Sequence, residues 1–211
     1  MMRAAEANGS LAQEQYDSRK RQRAISMAVN KDLSNDIMRQ LKLPCTLCSK
    51  DAKSFYDLIG HAQASLAMQR QGVPKSVVDC LFSTLQNERH QVRTGFGDSI
   101  LYYGGSKWLF PLRSIGQGNG AGPATWAVVS TPLLNLLPKQ GFSCEIVNPI
   151  TGKKYVFVGY AFVDNTDIIE SKSGLSLSEC VTGLQQVLDT WEGALKATCG
   201  AIVPEKHFGT W

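Results

Sequence analysis

Apolar residues recur three and four apart at Ile25, Ala28, Val29, Leu33, Ile37 and Leu41, which predicts an amphipathic helix from about Ser18 to Leu41, ended by Pro44. Cys45–Ser49 reads as a short strand leading to Asp51. A second helix is expected over Tyr56–Gln71, closed by Gly72, and a third opens at Pro74 with Val77, Val78, Leu81, Phe82 and Leu85 inward. Ser99–Tyr103 and Lys107–Leu112 are β-like and joined by Gly104-Gly105, a hairpin signal. Pro123 starts a helix through Trp126, Val129 and Leu133, with a kink expected at Pro132. Tyr155–Phe162 is an apolar, β-branched strand that turns at Asp164-Asn165 and returns over Thr166–Ile169. Leu177–Ala197 is a final helix before Gly200, and Ala201–Lys206 a closing strand. Strands and helices interleave without a long repeat, so the class is α/β or α+β. Residues 1–17 show no sustained periodicity and are expected as a disordered lead-in to one domain over 18–211.

Composition narrows the class. The chain is 43% hydrophobic and 19% charged, enough for a core and far from a disordered sequence. No run reaches the ~18–20 apolar residues of a membrane span, and the first 23 residues have no apolar signal region. An intracellular protein of cytoplasm or nucleus, without a membrane partner, is the expectation. Net charge is +4, but residues 1–75 hold 12 Lys/Arg against 7 Asp/Glu. The excess concentrates in Arg19, Lys20, Arg21 and Arg23, which suits a phosphate polyanion and equally suits a solvated start to a helix. Cys45 and Cys48 have metal-like spacing, but no second pair completes a four-ligand zinc site, so free thiols are expected.

Three constellations carry candidate chemistry. Asp51 stands at a strand's end with Tyr56 five residues on, although taken alone such an aspartate is more commonly a solvated helix N-cap. Gly116-Gln117-Gly118-Asn119-Gly120-Ala121-Gly122 is a loop through which backbone can approach a ligand, with a helix behind it. It matches a dinucleotide fingerprint only in part, because Ala121 stands at the third glycine position. Asp164 sits at the tip of a tight hairpin that a plain Asp-Asn turn would also produce. Their order along the chain is that of a polymerase palm, in which carboxylates from separate strands hold paired divalent metals.

On the blocks CSKDAKSFYDLIGH, GQGNGAGPATWAVVSTPLL and FVGYAFVDNTDII, with a weaker GAIVPEKHF, the sequence resembles the reverse transcriptase domain of retrotransposon-like elements of protist and algal type, from about Arg19 onward. The resemblance implies an α+β polymerase palm, an antiparallel sheet backed by helices, with partial fingers and no thumb. It implies RNA-directed DNA synthesis with RNA template, DNA primer and dNTPs as partners and two Mg²⁺ as cofactors, replaceable by Mn²⁺. No protein partner is implied. Asp51 and Asp164 would bridge the metals, with the Ala52 carbonyl as a further ligand. Tyr56 would exclude a ribose 2′-hydroxyl, Gln117 and Gly118 would contact nucleotide and template, and Lys206 would act as general acid on pyrophosphate. Arg19, Lys20, Arg21 and Arg23 would stand in for basic fingers residues on the triphosphate.

The family pattern has an aspartate where this chain has Asn165, which removes a unit of negative charge beside the metals and implies weakened metal binding. The alternative expectation is therefore a catalytically inactive retroelement relic that keeps some nucleic-acid binding. Asp167, three residues past Asp164, falls on the return strand and is not expected to replace the missing carboxylate.

Overall fold

The structure is a computed structural model, and it describes residues 1–52, 55–104, 114–116, 118–201 and 208–210. Its centre is an antiparallel four-stranded sheet in the order β10-β1-β9-β8, built from β1 (Thr46–Asp51), β8 (Gly159–Phe162), β9 (Asn165–Glu170) and β10 (Phe208–Thr210). Alternation along the strands gives the sheet two different faces. Cys48, Ala161 and Ile168 face a core made with α6 (Gly122–Lys139) and α7 (Leu177–Ala197), through Trp126, Val129 and Leu133 on the first and Leu184, Val187 and Trp191 on the second. Leu47, Tyr160 and Ile169 face a smaller cluster with Met38 of α2 (Ala24–Gln40) and Cys144 and Ile146 of β6 (Cys144–Val147).

α7 matches the sequence expectation to the residue. Ser176 accepts from the Glu179 amide at 3.3 Å while Glu179 accepts from the Ser176 amide at 2.7 Å, closing a capping box. α6 runs on through Pro132 to Lys139. The expected second helix is two, α3 (Phe55–Leu58) and α4 (His61–Arg70), and α5 spans Lys75–Asn87. The expected Tyr155–Phe162 strand is also two. β7 (Lys154–Phe157) pairs with β6 as a separate hairpin, and only β8 joins the main sheet. Of the expected Ser99–Tyr103 strand, Tyr103 falls in β5 (Tyr103–Gly104), which pairs with β2 (Arg89–His90), while β3 (Arg93–Thr94) pairs with β4 (Gly97–Asp98). Lys107–Leu112 lies outside the described residues, as does nearly all of the Ala201–Lys206 strand.

Two corrections concern the first forty residues. Residues 1–17 are not a disordered lead-in: α1 (Met2–Ala7) buries Ala5, and Leu11, Ala12, Gln15 and Tyr16 are buried behind it. The segment lies parallel to β8, where the Tyr16 amide donates to the Ala161 carbonyl and the Ala161 amide to the Glu14 carbonyl, both at 2.8 Å. Short polar sequence lacks periodicity yet can still add to a sheet edge, because the bonds are made by backbone.

The second correction is α2, which starts at Ala24 rather than Ser18, since Ser18 and Arg21 both take positive φ. It also presents the other side. Ile25 and Leu33 of the predicted inner stripe are 66% and 53% exposed, whereas Met38 and Ser34 are buried. Hydrogen bonding accounts for the reversal. The inward side carries buried Ser34, which shares a 2.5 Å bond with the Tyr160 hydroxyl, and at its edge exposed Asn30 donates to the Tyr16 hydroxyl at 2.8 Å.

Glu170 on β9 is buried, with Oε2 unpartnered and Lys172 Nζ 3.3 Å from Oε1. Burial pushes its carboxyl above the ordinary 4.5, and Lys172 only partly opposes this. The folded chain thus holds the proton more tightly than the unfolded chain, so stability falls as pH rises from 4.5 through the folded value. Glu170→Gln should therefore raise the melting temperature at pH 7, with the gain vanishing below pH 4.5. Among the described residues no helix is long and apolar enough to cross a membrane.

Candidate active site

β1 ends on Asp51, and its cross-strand partner is Asn165, the first residue of β9. One residue further, the Ala52 amide donates to the Asp164 carbonyl at 3.0 Å. The backbones of Asp51 and Asp164 therefore lie side by side at one end of the sheet. The hairpin that carries Asp164 differs from expectation. Phe162 pairs with Asn165, so the turn is Val163-Asp164, and Val163 takes the positive φ of 55°. That conformation costs a β-branched residue on the order of 1–3 kcal/mol. The Trp126 indole, donating to the Val163 carbonyl at 2.5 Å, holds it from α6. Asn165 Nδ2 is 3.3 Å from Asp164 Oδ1 and donates to it.

Tyr56 on α3 meets the start of α6: a Cβ on Gly122 would lie 3.3 Å from its ring, so glycine there lets the helix approach the tyrosine. The Ile115 amide donates to the Tyr56 carbonyl at 3.1 Å, which fastens the loop before α6 to the same helix. Burial pushes the Tyr56 phenol up to about 12, and the Asp17 and Asp164 carboxylates add to the shift. Tyr56 therefore stays a neutral hydroxyl within electrostatic reach of Asp164. Gly118 is exposed with φ of 93°, in a loop where the Ala121 amide donates to Asn119 Oδ1 at 2.9 Å. Gln117 and Lys206 lie outside the described residues.

The structure thus brings together Asp51, Ala52, Asp164 and Asn165, with Tyr56 beside them. Arg19 is engaged within the chain. The Arg19 guanidinium holds both oxygens of Glu6, at 3.0 and 3.1 Å, and the carbonyls of Ala12 and Gln15, which makes it a clamp on the N-terminal segment. Lys20, Arg21 and Arg23 are exposed. Asp17, which reaches Tyr56 electrostatically, was not anticipated, and no spacing in the sequence would have found it.

Also unanticipated is the group two residue pairs inside the site. Ser49 pairs with Asp167 two residues before Asp51 pairs with Asn165, so all four share the face opposite α6 and α7. Counting by two from Asp51 and Asn165 would have revealed it. Asp167 Oδ1 accepts a short hydrogen bond from the Ser49 hydroxyl, and Oδ2 lies 2.8 Å from Lys31 Nζ of α2. The larger concavities among the described residues are elsewhere. One of about 660 Å³ is lined by Met38, Arg39, Lys42, Leu43 and Leu177, and one of about 400 Å³ lies between α2 and the β6–β7 hairpin, lined by Leu33, Ile37, Ile146, Phe157 and Tyr160.

An antiparallel sheet packed by helices, a hairpin-borne aspartate beside a strand-end aspartate, and a glycine-rich loop opening a helix make up a fold that is also found in solved telomerase structures. Apo telomerase from Candida tropicalis superposes with a TM-score of 0.62 at 10% identity, covering 98% of this chain and 35% of that one. Telomerase from Candida albicans, in complex with a TWJ fragment of telomeric RNA, gives 0.66 at 8% identity, covering 100% and 33%. The C. tropicalis enzyme truncated from its C-terminal domain gives 0.59 at 12% identity, covering 93% and 36%. The chain spans about a third of these proteins. No protein-family model and no curated protein sequence matches it.

Proposed function

We propose that this chain is the palm, with part of the fingers, of a retroelement reverse transcriptase, an RNA-directed DNA polymerase that extends a primer 3′-hydroxyl with dNTPs on an RNA template. The observation that supports it best is the juxtaposition of Asp51 with the Asp164 hairpin at the end of the sheet. Among the described residues no group of three or more His, Cys, Asp or Glu side chains is arranged to hold a metal. Two carboxylates and a carbonyl are nonetheless hard oxygen donors of the kind Mg²⁺ uses when water and substrate phosphates complete its shell. Asp51, Asp164 and the Ala52 carbonyl would hold two Mg²⁺, or Mn²⁺ in their place. Metal ions held by these groups would supply a lowered pKa for the attacking hydroxyl and offset charge on the leaving pyrophosphate. Tyr56 would present its ring edge to the sugar and exclude a 2′-hydroxyl, while Gln117 and Gly118 would bring backbone to the nucleotide. Lys20, Arg21 and Arg23 would bind phosphate, and Lys206 would protonate pyrophosphate.

Asn165 favours a second reading, an inactive relic with residual nucleic-acid affinity, because it brings no charge and occupies an Asp164 oxygen. Primer extension on poly(rA)·oligo(dT) with Mg²⁺ or Mn²⁺ separates the two. The polymerase reading expects dTTP incorporation, raised about tenfold by Asn165→Asp, which is roughly 1.4 kcal/mol of barrier. Binding of the duplex without incorporation by either form would leave the relic.

A further inference from the structure

Asp167 is a buried carboxylate whose two oxygens are each assigned to a different element. One accepts from Ser49 on β1 and the other from Lys31 on α2, and the side chain itself is 5% exposed. The rung it occupies, Ser49↔Asp167, lies two residue pairs before Asp51↔Asn165, on the same face of the sheet. Across its other edge Asp167 pairs with Tyr160, whose hydroxyl contacts Ser34 at 2.5 Å and donates to the Asn30 carbonyl at 3.2 Å. Asn30, Lys31 and Ser34 thus seat α2 on this rung through polar contacts, with its apolar stripe turned to solvent. A helix docked by an ion pair and hydrogen bonds has one register, because each donor must meet its own acceptor.

We propose that Asp167 is the positioning residue of the candidate active site, acting through Ser49 and Lys31, an inference that rests on the polymerase reading above. The Ser49 bond fixes β1 against β9 two residue pairs before Asp51, on the same face, which sets the height at which the Asp51 carboxylate meets the Asp164 hairpin. The Lys31 pair fixes α2, and with it Arg23 at the start of that helix, relative to the same rung. Asp167 touches neither metal nor substrate in this role. Lys31 also balances its charge.

Mn²⁺ binding, read from loss of the free-ion EPR signal with dTTP present, tests this on the full chain without requiring turnover. Supporting interactions of this kind are worth about 10–100-fold in metal affinity. Lys31→Met and Asp167→Asn should each weaken Mn²⁺ binding about tenfold, Ser49→Ala about threefold, and Lys31→Arg should retain it. Lys31→Met alone strands a buried carboxylate and lowers the melting temperature. Lys31→Met/Asp167→Leu removes both charges and should recover the melting temperature, as replacement of buried pairs by apolar residues commonly does. Its Mn²⁺ affinity should stay about tenfold low, which a purely structural role would not produce. Wild-type affinity in that double variant, or in Asp167→Asn, overturns the proposal alone. Absence of Mn²⁺ binding in the unsubstituted chain overturns the polymerase reading and this inference with it.

Discussion

Replacing Asp51 and Asp164 together by asparagine should abolish metal-dependent primer extension, a fall of at least about 10³-fold, with little change in melting temperature. Each substitution keeps the side chain's shape and one acceptor oxygen, exchanges the other for an NH2 donor and removes the charge, while the β1–β9 ladder and the Ala52–Asp164 bond are made by backbone. The loss falls instead on the divalent ions, whose stabilisation of developing charge is worth several kcal/mol. Three decades of rate correspond to about 4 kcal/mol of barrier. Asn165 sharpens the expectation, because with no charge at that position no third carboxylate shares the load. Both single variants should therefore lie close to the double. The measurement is dTTP incorporation alongside a thermal melt. Residual extension within tenfold of the unsubstituted chain would remove Asp51 and Asp164 from the metal site.

How far the sequence foretold this arrangement depends on which physical signal each element carries. α7 and its Ser176–Glu179 cap were legible because a long apolar periodicity ran into a local capping pattern. The pairing of Asp51 with the Asp164 hairpin was legible only through the resemblance of three blocks, since nothing local distinguishes a metal-binding aspartate from a helix cap or turn. The exposed side of α2 was misread, and for an instructive reason. Periodicity reports which face is apolar, but Asn30, Lys31 and Ser34 find partners in Tyr16, Asp167 and Tyr160, residues up to 136 positions away in the chain. Turning Asn30, Lys31 and Ser34 toward the sheet in place of Ile25, Val29 and Leu33 is favourable only where the polar groups are matched, and a match is a tertiary property. The N-terminal segment was missed on similar grounds, because its attachment to β8 is made by backbone and by the Arg19 clamp.

Two alanine substitutions of glycine should act with opposite sign, and the larger effect belongs to Gly159 on β8. A Cβ there would run into the Asp167 backbone carbonyl and come within 3.1 Å of the Ile168 Cα. Neither is the flexible end of a side chain, so β8 must move off β9. Overpacking a well-ordered site costs about 1–3 kcal/mol, occasionally more, and here the displaced atoms belong to a ladder that also pairs Phe162 with Asn165. Gly159→Ala should lower stability by about 3 kcal/mol or more. At about 2–4 °C per kcal/mol for a chain of this size, the melting temperature falls by about 6–12 °C. Gly193 on α7 has no neighbour within reach of an added Cβ and lies in a helix interior. Gly193→Ala should therefore stabilise by about 0.5–1 kcal/mol. The two are compared by thermal melts, together with Mn²⁺ binding, because Gly159→Ala moves β8 off the strand that carries Asp167 and Asn165. A Gly159→Ala chain that melts like the unsubstituted one would mean that β8 does not approach β9 as closely as described. The position of the Asp164 hairpin would then lose its support, since β8 is the strand that delivers it.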